Sequence, residues 1–196
     1  DSKSLGFTAG GKLKRISIAA GPAVTLADSN TSPVTPIGAW NQDGVILFGS
    51  NQGLRRVSAS GGESTLITKV DPERKEAGHG FPQFLPDGKH FIYFVQSRDA
   101  EVRGVYAASL DAPAPSERIL RTASKAFYAP PRGGYGGYLL LFQEKTPLSP
   151  RVHAPRVGPA GEPAAAAGKI ALRQPRPVRG GSLGSGARPP VFFCGG

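Results

Sequence analysis

The 196-residue sequence is poor in residues that cross-link or anchor a chain: it has one cysteine, one tryptophan and no methionine. A lone Cys194 excludes an intramolecular disulfide framework and a thiolate metal cluster. No run of about 18 apolar residues occurs, so we expect no membrane-crossing segment in this chain, and no signal peptide is recognisable. Because the chain opens at Asp1, inside an apparent strand-turn-strand unit, we expect the natural protein to begin upstream.

The formal charge of +10 invites comparison with nucleic-acid-binding proteins, because clustered Lys and Arg release counterions from phosphates. The charge is unevenly placed, however. Residues 144–196 carry eight Lys or Arg against Glu144 and Glu162, whereas residues 1–143 carry sixteen against twelve acidic residues. The larger part of the chain is therefore only mildly basic, and nucleic acid is not the partner that it favours.

A repeat of 42 and 44 residues organises this larger part. Residues 40–48 match residues 84–94, and residues 15–22 match residues 56–63 at a second point in the unit. The spacing is that of one four-stranded propeller blade. Within each unit an Asp-Gly pair supplies the positive φ values that a tight hairpin needs. The predicted structural turn residues are Asp1, Asp43, Gly44, Asp87 and Gly88.

We therefore predict an all-β fold, a β-propeller of four-stranded antiparallel blades, incomplete at about three blades plus a partial fourth. The predicted blades span residues 1–34, 35–78, 79–124 and, in part, 125–142. The runs at residues 91–94 and 138–142 are continuously apolar, which indicates strands covered on both faces. An open ring should expose apolar blade surface at both ends and tend to aggregate.

Segment 84–89, Phe-Leu-Pro-Asp-Gly-Lys, resembles the blade motif of TolB-like, WD-repeat-like bacterial propellers, and the likeness extends over residues 1–142. More narrowly, residues 71–76, 81–88, 103–106 and 128–131 resemble propellers that follow bacterial serine/threonine kinase domains. That resemblance implies a cytoplasmic kinase, a membrane helix and an extracytoplasmic or periplasmic propeller. This chain contains neither the kinase nor the helix.

The sequence departs from that motif in several places. Gln42 stands where Pro is usual, and Ser2 stands where Gly is usual. Residues 143–168 form a degraded blade-like segment. Residues 169–196 are a low-complexity Arg, Gly, Pro and Ala tail that resembles GC-rich DNA read out of frame, so we predict a tail that is disordered or out of frame.

Three loops are candidates for binding, at residues 51–53, 71–80 and 97–101, because stacked blades hold their loops in fixed positions. His79 precedes an inner strand whose end faces the central channel; the simpler interpretation is a loop residue that caps the strand. The mixed-charge run at residues 71–76 is typical of a solvated face as well as of a partner-binding loop. The ligand-contact candidates are His79, Arg74, Lys75, Asn51 and Arg98.

The sequence indicates no catalytic residue, no metal site and no cofactor, since His79, His90 and His153 lie too far apart for a ligand cluster. The first hypothesis is a non-catalytic binding module for an unknown protein or small molecule, completed by the remaining blades of a parent protein. It could serve as the sensor of a membrane kinase. The alternatives are an RNA-binding protein acting through the Arg-Gly-Gly segments at residues 132–134 and 179–181, and the propeller domain of a peptidase.

Overall fold

The computed structural model describes residues 3–29, 38–111, 116–130, 137–143, 146–148, 151–152 and 172–173. Every regular element among these residues is a β-strand, and every strand pair is antiparallel. Within the same residues no helix could cross a membrane. The strands form four successive sheets, which we number as blades 1 to 4.

Blades 2 and 3 each contain four strands that are adjacent in the order of the chain. Blade 1 contains three strands, and blade 4 contains five. Blade 1 comprises β1 (Ser4–Ala9), β2 (Lys12–Ser17) and β3 (Val24–Asp28). Blade 2 comprises β4 (Ala39–Trp40), β5 (Val45–Ser50), β6 (Gly53–Ser58) and β7 (Thr65–Leu66). Blade 3 comprises β8 (Glu76–Phe84), β9 (His90–Ser97), β10 (Gly104–Ser109) and β11 (Glu117–Arg121). Blade 4 comprises β12 (Ala126–Ala129), β13 (Gly137–Gln143), β14 (Thr146–Leu148), β15 (Arg151–Val152) and β16 (Leu172–Arg173).

The hydrophobic core consists of three clusters, and each lies between two consecutive blades. The cluster between blades 1 and 2 includes Leu13 and Phe48, and the cluster between blades 2 and 3 includes Leu47 and Phe91. The third, between blades 3 and 4, includes Ile92 and Leu139. Sheets that follow one another along the chain and bury a separate core at each junction are the blades of a propeller, so the predicted fold class is confirmed.

Alternation along β9 explains why its sequence is apolar without interruption. Phe91, Tyr93 and Val95 point toward blade 2, whereas Ile92 and Phe94 point toward blade 4. Successive side chains of a strand face opposite sides of its sheet, so a strand between two blades needs apolar residues at every position. The predicted covering on both faces is therefore observed for residues 91–94.

The covering is incomplete for β13. Leu139 and Leu141 pack against blade 3, but Leu140, which points the other way, is 40% exposed. In blade 1, Leu5, Ile18 and Val24 are also exposed. In the part of the chain that the structure describes, no further sheet packs on the outer faces of these two blades, and their apolar side chains face solvent.

Polar side chains join the inner strands of neighbouring blades. Asn41 Nδ2 donates a buried 2.7 Å hydrogen bond to the carbonyl of Gly88, and its Oδ1 accepts the backbone N–H of Val45. Gln83 forms the next junction, because its side-chain amide donates to the carbonyl of Tyr128 and accepts from the N–H of that residue. Each amide satisfies backbone groups of the next blade and thereby fixes the lateral position of that blade.

Two boundaries differ from the predicted ones. Strand β8 begins at Glu76, three residues before the predicted start of blade 3 at residue 79, so the junction between blades 2 and 3 lies near residue 75. Glu76, Gly78 and Gly80 look like loop residues in sequence, yet they pair with β9, and two bulges interrupt this pairing. Short strands β14, β15 and β16 lie within the segments predicted as degraded blade and tail, and all three belong to the sheet of blade 4.

We predict that Asn41→Ala lowers the free energy of unfolding by about 1–3 kcal/mol, because it leaves the buried carbonyl of Gly88 without its donor. Urea unfolding of the full chain measures the change. The matched control is Gln42→Ala at the exposed neighbouring position, which we expect to change stability by no more than about 0.5 kcal/mol. Equal effects at the two positions would contradict the role assigned to Asn41.

Candidate functional site

The antiparallel order of strands in a blade separates its loops into two groups. In blades 2 and 3 the first and third turns lie at one end, which we call the Asp-Gly end; the second turn and the link to the next blade lie at the other, the connector end. Gly44 and Gly88 have φ values of 75° and 67°, as their Asp-Gly hairpins require. Asp1 lies outside the described residues. The five ligand-contact candidates, Asn51, Arg74, Lys75, His79 and Arg98, all lie at or next to the connector end.

A buried hydrogen-bond network occupies the connector end between blades 2 and 3. His79, only 5% exposed, has its Nδ1 2.8 Å from Thr68 Oγ1 and its Nε2 2.9 Å from Glu76 Oε2. The hydroxyl of Thr68 also accepts the backbone N–H of Leu54 in β6, at 3.0 Å. The backbone N–H of Asp71 donates to the same Glu76 oxygen, at 2.9 Å. The network therefore links the third strand of blade 2 to the first strand of blade 3.

A β-bulge places Glu76 and His79 on the same face of β8. In a regular strand, residues three apart point to opposite faces. Here Glu76 pairs with Ser97 and Gly78 pairs with Gln96, so Ala77 is an extra residue with no partner opposite it. The bulge reduces the effective separation of the two side chains to two residues, and both turn toward the junction.

The hydrogen bonds define one protonation pattern for a neutral His79. Nε2 carries the proton and donates to Glu76, while Nδ1 accepts the proton of Thr68, whose oxygen in turn accepts from Leu54. Burial lowers the pKa of His79 below its ordinary value, although the Glu76 carboxylate acts in the opposite direction. The imidazole is therefore neutral near pH 7, and no buried side-chain nitrogen or oxygen among the described residues lacks a hydrogen-bond partner.

Arg74 lies at the solvent side of this network. Its Nη2 donates to the hydroxyl of Tyr106 at 3.0 Å, and its Nη1 lies 3.4 Å from Glu76 Oε1. The guanidinium carbon is also 5.9 Å from the centre of the Tyr106 ring. Burial would lower the pKa of Arg74, but Tyr106 and the carboxylates of Glu76 and Asp71 outweigh it and raise the pKa. Arg74 is thus a fixed, fully charged group at the surface.

These side chains line a cavity of ≈ 290 Å³ between blades 2 and 3. The connector supplies one wall, which includes Thr68, Lys69 and Asp71, followed by Arg74, Glu76 and His79 from the start of blade 3. The opposite wall comes from β9, β10 and the residue before β11. That wall consists of Tyr93, Val95, Tyr106 and Ser116.

The remaining candidate residues surround this cavity or lie one blade away. The backbone N–H of Arg98 donates to the carbonyl of Lys75 at 3.3 Å, so the loops carrying these two exposed residues are joined. Ser97 strengthens the joint by donating to the carbonyls of Arg74 and Lys75. Asn51 lines a different cavity of ≈ 500 Å³, between blades 1 and 2. The structure therefore brings together four of the five candidates and leaves Asn51 apart.

A hydroxyl, an imidazole and a carboxylate in series form the arrangement used for nucleophilic catalysis. Thr68 is poorly placed for that chemistry, because the residue is only 7% exposed and its hydroxyl bridges the Leu54 N–H and His79. Its hydrogen bonds hold two blades together instead. Among the described residues no three or more His, Cys, Asp or Glu side chains are grouped as metal ligands would be. What the cavity presents to solvent is a set of polar and charged side chains, with Arg74 the most exposed of the network.

Three residues of this site were not among the candidates that the sequence predicts. Thr68 looks like the last residue of an edge strand, Glu76 looks like part of a solvated charge run, and Tyr106 looks like a core residue. The one sequence feature that could have indicated the network is the acidic residue Glu76, three positions before His79. Because that spacing joins side chains only if the strand contains a bulge, the sequence pattern alone did not reveal it.

Comparisons with known proteins give limited support. No family model matches the sequence, and no curated protein is significantly similar to it. A solved structure of a protein from Agrobacterium tumefaciens provisionally identified as TolB is similar at 16% identity, with a TM-score of 0.32. The match covers 77% of this chain and 73% of that one. Because this TM-score is low, the similarity supports no inference about fold or function. The propeller assignment depends on the blades themselves.

We predict that His79 makes the fold sensitive to acid. Because the folded pKa of His79 lies below its ordinary value of 6.5, the unfolded chain binds a proton where the folded chain does not. The contribution of His79 to stability is therefore complete above pH 6.5 and is lost as the pH falls through the lower folded pKa. Urea unfolding at about pH 7.5 and about pH 5.5 should show a smaller loss of stability on acidification in His79→Gln than in the native chain.

His90 at the Asp-Gly end provides the matched control, because the sign of its effect is opposite. Its Nδ1 lies 2.5 Å from Asp87 Oδ2, and this hydrogen bond raises the pKa of His90. The stability that it contributes is present below pH 6.5 and is lost as the pH rises through the folded pKa. His90→Gln should therefore leave the acid-induced loss in place. A native-like pH response in His79→Gln would contradict the assignment.

Proposed function

We propose that this chain is a non-catalytic binding module that recognises a protein or small-molecule ligand at the connector end, with the cavity between blades 2 and 3 as its principal site. The observation that carries the proposal is Arg74, a charged side chain held by Tyr106 and Glu76 at the mouth of that cavity. A cleft with a few fixed polar groups is the usual form of a binding site. A binding role requires neither a catalytic step nor a cofactor.

Preorganisation supports the proposal. The loop of residues 71–75 is tied to blade 3 through Ser97, and Lys75 has a left-handed backbone with φ 56°. A residue other than glycine adopts this conformation only when its surroundings enforce it, and such positions concentrate at functional sites. Since the loop is already fixed, a ligand would bind without the entropic cost of ordering it.

The finer proposal is that the module is the extracytoplasmic sensor part of a bacterial membrane serine/threonine kinase. It is supported by the likeness of residues 71–76, 81–88, 103–106 and 128–131 to kinase-associated propellers. Three of these residues, Asp71, Arg74 and Glu76, also line the cavity. In such a protein, ligand binding at the connector end would be the signal that reaches the kinase.

No observation on the described residues favours either alternative function, RNA binding or the propeller domain of a peptidase. The Arg-Gly-Gly segments at residues 132–134 and 179–181, on which RNA binding depends, lie outside the described residues. A peptidase would place its active site in another domain. The binding module therefore remains the proposal.

Fragment screening by ¹H–¹⁵N NMR on the full chain tests the location of the site. We expect saturable shifts from bound fragments to cluster at residues 68–79, 93–95, 106 and 116, since these segments contain the residues that line the cavity. The Asp-Gly turns at residues 43–44 and 87–88 serve as the internal control, and their signals should stay unchanged. Shifts that cluster at those turns, or no saturable shifts at all, would contradict the proposed site.

The kinase-sensor proposal is tested by reading the complete open reading frame that encodes this chain. We expect a serine/threonine kinase domain followed by one membrane helix upstream of blade 1. An open reading frame with a hydrolase domain, or with no kinase domain, would overturn the sensor role and leave the binding module standing.

A further inference from the structure

We propose that the cavity between blades 2 and 3 binds a carboxylate group, which is held by the guanidinium of Arg74 and the ammonium of Lys69. The inference rests on the proposed binding function and specifies the chemistry of its ligand. It follows from which polar groups at the cavity are already engaged and which are not.

The buried acidic group of the cavity, Glu76, is already engaged, and Asp71 is engaged at one oxygen. Glu76 Oε2 accepts two hydrogen bonds, from His79 and from the N–H of Asp71, and Glu76 Oε1 faces Arg74. Asp71 Oδ1 accepts the backbone N–H of Glu73. A cationic ligand would therefore have to compete with donors that the protein already supplies.

The basic groups, in contrast, retain free donors. A guanidinium carries five N–H donors in a fixed fork. Arg74 uses one for Tyr106 and directs Nη1 toward Glu76, and it contacts no other acceptor among the described residues. Lys69 lines the same cavity, and its ammonium forms no hydrogen bond or ion pair within the described part of the chain. Two cations with unused donors at one cavity favour an anion.

Arg74 is also held ready for a ligand. The Tyr106 hydroxyl that accepts its Nη2 proton donates its own to the carbonyl of Val102 at 2.7 Å, which fixes the phenol. Because this side chain is immobilised before binding, little rotamer freedom remains to be lost when it contacts an anion. The planar fork then matches the two oxygens of a carboxylate.

Size and charge select a carboxylate over larger or more highly charged anions. A volume of ≈ 290 Å³ lies at the lower end of the range of about 300–1,000 Å³ that ligand pockets span, which suits a side chain or a small organic acid. Lys69 and Arg74 balance Asp71 and Glu76, so the cavity has no net charge while His79 is neutral. One added negative charge is tolerable beside Glu76, whereas a phosphate dianion would add two.

An NMR titration of the full chain tests the inference with small probes. N-acetylglycine offers a chain-terminal carboxylate, the α-amide of N-acetylglutamic acid offers a side-chain carboxylate, and N-acetylglycinamide is a neutral analogue. We expect saturable shifts around Arg74 and Tyr106 with at least one of the two acids and none with the neutral amide. The acid that binds more tightly identifies the source of the carboxylate. Inorganic phosphate should bind more weakly than that acid.

Substitutions assign the binding to the proposed residues. Arg74→Gln should weaken binding of the acid at least tenfold, and Arg74→Lys, which keeps the charge but loses the fork, should weaken it less. Lys69→Gln, at an exposed position where folding is not at risk, should weaken it several-fold. The matched control is Arg56→Gln, outside the cavity on β6, with unchanged affinity.

Three results would overturn the carboxylate assignment: equal binding of the neutral amide, tighter binding of phosphate, or full affinity in both Arg74→Gln and Lys69→Gln. Neutral or cationic fragments that bind in the cavity while both acids fail would refute the ligand class but leave the binding module intact. Failure of every fragment would instead count against the proposed function itself.

Discussion

The burial of each blade face against the next blade is the constraint on which the rest of this structure depends. Separate apolar clusters lie between blades 1 and 2, 2 and 3, and 3 and 4, so no single central core holds the chain together. Stability is then a sum of contributions from neighbouring junctions, as expected for a repeat protein. Such junctions also fix the ends of the blades, and loops at those ends can carry rigid side chains.

The junction between blades 2 and 3 combines this apolar contact with a polar network at its connector end. Gly53 shows how closely β6 approaches the connector at this end. Its φ is 137°, and a Cβ at this position would collide with the carbonyl oxygen of Thr68. Thr68 can therefore reach both the N–H of Leu54 and His79 only because residue 53 has no side chain. The close approach of β6 to the connector is thus what positions the network.

Sequence reasoning succeeded where the pattern is local and failed where it depends on contacts between blades. The Asp43-Gly44 and Asp87-Gly88 turns could be predicted because a tight hairpin demands positive φ. The strand at residues 91–94 could be predicted because a strand between two sheets is apolar throughout. The start of β8 could not be predicted, since bulges bring Glu76 and Gly78 into the sheet. The partnership of Thr68 with His79 crosses from one blade to the next, and no spacing within the repeat encodes it.

The polar network is costly to bury, and this cost indicates its role. Charged groups at a buried junction seldom stabilise a fold more than apolar residues of similar volume would, because desolvation offsets their attraction. Glu76, with a side chain only 2% exposed, could be replaced by an apolar residue if packing were its sole purpose. Its second oxygen faces Arg74, and an apolar residue could not orient that guanidinium. The arrangement holds one cation in a defined position, which is the property that the proposed binding site requires.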